Sequence, residues 1–119
     1  MIKLNFHEGL IPVVVQDAKT KTVLMMAYAN EEAVNLTQIT GFAHYYSRSR
    51  KKLWKKGEES GHFQTVTEIH VDCDSDAVLY LVNQAGAACH EGYESCFFRD
   101  IEGNLLYKPI FDPVKVYKK

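Results

Sequence analysis

The chain has no excess of charge of either sign: 14 Lys and Arg stand against 15 Asp and Glu. A net charge of -1 excludes a globally basic nucleic-acid binder and confines any anion site to a local patch. No apolar run approaches the ~20 residues needed to cross a bilayer. The opening MIKLNFHEGL lacks the long apolar core of a signal peptide. Cysteine is scarce, at three, and an odd number leaves no disulfide framework. That points to a reducing, cytoplasmic setting, where cysteines serve more often as ligands or catalysts. No repeat, low-complexity stretch or linker interrupts the 119 residues, so one domain with one core is expected over 1–119.

What is present reads as strand-rich. LIPVVVQ (10–16) and KTVLMMAYA (21–29) are apolar runs joined by a polar DAKT, which suggests a hairpin. NEEAVNLTQITG (30–41) predicts a short helix. Asn30 is its N-cap, Glu31 and Glu32 suit the first turn, and Gly41 is its stop. Ala33, Val34, Leu36 and Ile39 supply its apolar side chains. FAHYYSRS (42–49) returns to strand character, and the charged RKKLWKKGEESG (50–61) reads mostly as loop. In HFQTVTEIHVDCD (62–74), alternation would put Phe63, Thr65, Thr67, Ile69, Val71 and Cys73 on one face. AVLYLVNQ (77–84) is an apolar strand, 85–95 a Gly/Ala-rich loop, and 96–108 a hairpin turning at Glu102-Gly103-Asn104. Many strands and one helix make the expected class α+β.

DCDSD (72–76) sets Asp72, Asp74 and Asp76 at every second position, although Asp is a poor strand residue and like charges on one face repel. In extended chain the carboxylates point one way and Cys73 the other. Oxygen ligands suit a hard ion such as magnesium, and thiolate suits zinc, so the pattern hints at two metal sites. An EF-hand is excluded, because position 6 is Ala77 and position 12 is Asn83. A solvated turn is the plain alternative. Cys89 and Cys96, in CHEGYESC, would bring the thiols to three if joined by Cys73; a structural zinc takes four ligands, and a catalytic zinc three plus water. The other reading makes the cysteines small buried hydrophobes. SRSRKKLWKK (47–56) holds six of the 14 basic residues. Arg48 and Arg50 have the fork geometry for phosphate and would share a face if the strand continued; Ser47 and Ser49 offer hydroxyls, and Trp54 can stack on a base. A solvated charged loop is the alternative there.

Together LMMAYANEEA (24–33), YYSRSRKKLWKKGEESG (45–61), DCDSD (72–76) and ACHEGYESCFFR (88–99) resemble the phosphoribosyl-AMP cyclohydrolase family of histidine biosynthesis, over roughly residues 8 to 108. The resemblance implies a zinc-dependent hydrolase that also uses magnesium. It would add water at C6 of its nucleotide substrate and break the C6–N1 bond of the purine. It implies zinc on Cys73, Cys89 and Cys96, and magnesium on Asp72, Asp74 and Asp76. It further implies a homodimer in which Cys73 crosses from the other subunit, with no nucleic-acid or membrane partner. His90 is then the candidate for proton transfer, and Arg48, Arg50, Trp54 and Lys56 for substrate and phosphate. His62 and Glu91 stand where the family usually has Asn and Thr. The residues after Lys108 are too few for the second domain of bifunctional relatives, so a single activity is expected. A zinc deaminase is the nearest alternative, but its H-x-E…P-C-x-x-C signature is absent. A zinc-stabilised RNA-binding module is the other.

Overall fold

The computed structural model describes residues 2–89 and 91–109. Six strands and one helix follow one another along the described residues: β1 (Ile11–Asp17), β2 (Val23–Ala29), α1 (Glu31–Thr40), β3 (His44–Ser47), β4 (Lys52–Lys55), β5 (Gln64–Val71) and β6 (Val78–Gln84). Four of them form a sheet in the order β2-β1-β6-β5. β1 and β6 run parallel at its centre, and the flanking pairs are antiparallel. β3 and β4 make a separate antiparallel ribbon. This is the expected α+β class.

Alternation in β1 sends Ile11, Val13 and Val15 inward, all fully buried, while Val14 faces out opposite Met26. Leu24, Met25, Tyr45, Tyr80 and Val82 complete the inner layer. Each such side chain contributes roughly 1.5–3 kcal/mol through burial. Helix α1 has its expected ends. The Asn30 side chain accepts the Ala33 N–H at 2.9 Å, and Gly41, at φ 77°, donates its N–H to the Thr37 carbonyl. Its buried face is Ala33, Val34 and Thr37, while Ile39 is 80% exposed. Thr37 fits because its hydroxyl donates to Ala33 O at 2.8 Å and accepts the His44 N–H at 2.9 Å.

Three expectations change. The segment read as loop contains β4, whose Trp54 packs on Tyr45 with ring centroids 5.0 Å apart. Alternation in β5 breaks at a bulge between Val66 and Glu68, so Gln64 and Val66 point inward with Ile69 and Val71, not opposite to them. The turn at 102–104 exists, with Gly103 at φ 91°, but Arg99 and Leu105 are joined by a single bridge, not by paired strands. The tail beyond Pro109 lies outside the described residues.

Candidate active site

Two groups of metal-type ligands leave opposite ends of β6. At its start, 72–77 is a tight hairpin turn and not extended strand. Asp72 accepts the backbone N–H of Asp76 at 3.0 Å and of Ala77 at 3.2 Å, and Ser75 takes φ 61°. The turn therefore gathers the carboxylates that an extended chain would have spaced apart. Ligand oxygens of Asp72, Asp74 and Asp76 lie within 4.8 Å of one another, all exposed. Asp76 is held above the usual carboxylate range, first by a hydrogen bond shared with Asp72, then by the charges of Asp72 and Asp74. A hard divalent cation fits this donor set. Cys73 is exposed and donates its thiol to Asp74 at 2.9 Å, which raises its pKa. Asn5 braces the turn from outside, donating its side-chain amide to Asp74 O at 2.9 Å.

At the far end of β6, the loop from Ala85 brings Cys89 beside Cys96. The two thiols are near enough for Cys89 to raise the pKa of Cys96. Cys96 keeps solvent exposure as a residue, yet the protein packed around its sulfur, followed by the Cys89 thiol, pushes it up to about 11. Lys56 works the other way, holding the Cys96 thiol down. Strand β2 anchors Cys96, and bonds within the loop anchor Cys89. Cys96 donates its N–H to Leu24 O at 2.6 Å, and buried Ser95 donates its hydroxyl to Val23 O at 2.7 Å. Cys89 donates its N–H to Tyr93 O at 3.1 Å, while its own sulfur accepts from Glu91 N–H at 3.4 Å. Two adjacent thiols with open solvent on one side fit a soft ion such as zinc but fill only half of a tetrahedral set. Cys73 does not reach them within the chain, since the two loops are separated by the length of β6, about 20 Å for a strand of this size.

The basic stretch lies on the β3–β4 ribbon. Its tip, 48–51, is a turn, so Arg48 and Arg50 do not share a strand face. They part to either side of Trp54. On one side a pocket of about 340 Å³ is lined by Ser47, Arg50, Lys52, Trp54, Lys56 and Ser60, among others. On the other a depression of about 610 Å³ includes Tyr28, Tyr46, Arg48 and Trp54, with the Arg48 guanidinium 4.0 Å over the Tyr28 ring. Lys56 links the first pocket to the thiols: its ammonium donates to Ala88 O at 2.5 Å.

His90 lies outside the described residues. Glu91 is exposed, and its charge adds to the rise at Cys96. The His62 ring packs on Gly86, where a Cβ would come within 2.6 Å of it. Sequence reasoning missed Ser95, Gln84 and Tyr28. Gln84 donates its side-chain amide to His62 O at 3.0 Å and Ala85 O at 2.9 Å, tying the thiol loop to the start of β5. A polar residue closing an otherwise apolar strand was the one sequence signal for it.

A family model described as "Phosphoribosyl-AMP cyclohydrolase" matches residues 25–98. A relative of that name from Methanoregula boonei is 68% identical, covering 100% of this chain and 98% of its own. One from Archaeoglobus fulgidus is 67% identical over 87% of this chain and 96% of its own. The "Histidine biosynthesis bifunctional protein HisIE" of Aquifex aeolicus is 61% identical, over 92% of this chain and 55% of its own length.

Proposed function

The chain belongs to the phosphoribosyl-AMP cyclohydrolase family of histidine biosynthesis, and we propose that it opens the purine ring with zinc held by Cys89, Cys96 and a Cys73 from a second copy. The observation that carries this reading is that Cys89 lies near enough to raise the Cys96 thiol, while Lys56 ties their loop to a substrate-sized pocket. Zinc in such a set supplies the acidity that makes water a nucleophile near neutral pH.

The chain's own residues do the rest. The pocket wall of Trp54 offers a flat face to the purine, and the two arginines beside it offer forks to the two phosphates of the substrate, one on each side. His90, next in sequence to a zinc ligand, moves the proton lost by the attacking water to N1 as the C6–N1 bond breaks. That transfer is worth roughly a hundred- to ten-thousandfold in rate. C6 ends as a carboxamide carbon whose exocyclic nitrogen takes the second proton of the water, and N1 stays bonded to C2 as a formamidine nitrogen. Asp72, Asp74 and Asp76 hold magnesium, whose charge lets phosphate approach a cluster that would otherwise repel it.

Homodimerisation follows from the same arrangement. Each chain carries two thiols at one end of β6 and the third at the other. A second copy that delivers Cys73 also delivers the aspartates of the same turn, so both metals and the pocket meet at one interface. Phe97, Leu105, Leu106 and Tyr107, all exposed, supply apolar surface for that contact. We further propose a cytoplasmic location, consistent with thiols kept reduced.

The test is turnover of phosphoribosyl-AMP by the Cys89→Ser variant. Loss of ring opening together with loss of bound zinc is expected. Retained turnover rejects the zinc assignment, and ammonia release without ring-opened product in the wild type points to deamination.

A further inference from the structure

We propose that Lys56 is a positioning residue for the zinc-binding thiols, and not a ligand of substrate phosphate. The inference rests on the zinc reading above and assigns a role that the residue's place in a basic stretch does not suggest.

Lys56 follows directly on β4, and its backbone N–H is anchored on Ala43 O at 3.1 Å. From there the side chain spans 32 residues of sequence to donate to Ala88 O at 2.5 Å. Ala88 is 1% exposed and precedes Cys89. On its other side, the same loop is held by Ala88 N–H to Glu94 O at 3.2 Å and Cys89 N–H to Tyr93 O at 3.1 Å. The lysine bond thus closes a grip on both sides of the first thiol.

Burial disfavours the ammonium here, while the Cys96 and Cys89 sulfurs favour it. A lysine recruited for phosphate is a solvated point charge on a mobile stem. This one is half-buried, already bonded to Ala88 O and favoured by nearby sulfur. Its charge also has a use there: three thiolates around a divalent ion leave one negative charge in excess, which a neighbouring ammonium cancels. Outer partners that orient metal ligands typically contribute about 10–100-fold to metal affinity.

The experiment replaces Lys56 in the full chain by Met, which keeps the stem but neither charge nor donor. Zinc affinity is read by chelator competition, and KM and kcat on fully zinc-loaded enzyme. Zinc binding is expected to weaken about 10–100-fold, with kcat lowered and KM within about threefold of wild type. Unchanged zinc affinity with KM raised tenfold or more overturns the proposal and makes Lys56 a phosphate ligand. Should the Met variant fold poorly, Lys56→Gln, which keeps a donor but not the charge, is expected to weaken zinc less while KM stays within about threefold, and a KM raised tenfold or more with unchanged zinc affinity again overturns the proposal. The wild type and Cys89→Ser separate the two readings. If the wild type takes up no zinc, or Cys89→Ser binds it equally well, the zinc assignment has failed. If those behave as expected and Lys56→Met binds zinc normally, only the role of Lys56 has failed.

Discussion

A sulfur ligand must shed its proton before it can hold a metal, and the Cys96 thiol sheds it late. Burial and the adjacent Cys89 hold it up to about 11, against the usual 9.0. Zinc must displace that proton at neutral pH, so apparent affinity carries a proton dependence. We expect it to rise at least about tenfold per pH unit between pH 6 and 8, one decade for each thiol proton released. Competition against a chelator of known pH behaviour measures the slope, and a slope below one removes Cys96 from the ligand set. The metal-free fold responds with the opposite sign. A thiol whose folded pKa is raised contributes stability fully below pH 9, and that contribution is lost as pH climbs towards 11. Alkaline pH therefore tightens zinc while loosening the empty protein. Glu91 adds to the rise at Cys96, so removing its charge works in the direction of easier thiol loss.

The β3–β4 ribbon joins the pocket lined by Arg50 and Lys56 to the core, and Trp54 is where they meet. Its ring lies 5.0 Å from that of Tyr45, which is fully buried and donates to Gln64 at 2.5 Å. Trp54→Ala should cost roughly 1–3 kcal/mol in chemical denaturation, below the cost for a fully buried aromatic because the side chain is only half-buried. It should also raise KM about tenfold, the size of one lost base-stacking contact. Trp54→Phe should recover most of the stability. A normal KM in the Ala variant would reduce Trp54 to a packing residue. This ribbon also marks where sequence reading stopped. The β1–β2 hairpin and α1 were legible because apolar runs, a capping Asn and a stopping Gly all agree locally. β4 was not: two of its four residues, Lys52 and Lys55, are charged and lie within a stretch that read as loop, and its pairing with His44–Ser47 is what makes it a strand. The bulge in β5 was equally hidden, since Thr67 there bonds to Leu81 O on the neighbouring strand, a partner no local pattern announces. The aspartates were legible as a possible cation group, but the tight turn that gathers them needed the Asp72 side chain to cap its own loop.

At the scale of the whole molecule, the decisive feature is that β6 separates Cys73 from the other two thiols. A site closed by a second copy makes a prediction that a site closed within one chain does not. Cys73→Ser and Cys89→Ser should each be inactive alone. In a two-fold dimer built from one of each, the intact Cys89 of the first chain faces the intact Cys73 of the second, and the other site has lost both. One working site per mixed dimer then remains. Unfolding and refolding the two variants together at equal amounts makes about half the dimers mixed, so about one quarter of wild-type activity per total protein should return. Bound zinc should return in the same proportion, which separates repair of the site from a trace of contaminating wild type. Neither substitution alters the exposed Phe97, Leu105, Leu106 and Tyr107 that the proposed dimer would bury, so pairing should be close to random. If activity in the mixture stays at the sum of the two variants while size-exclusion confirms exchange of subunits, Cys73 does not cross the interface.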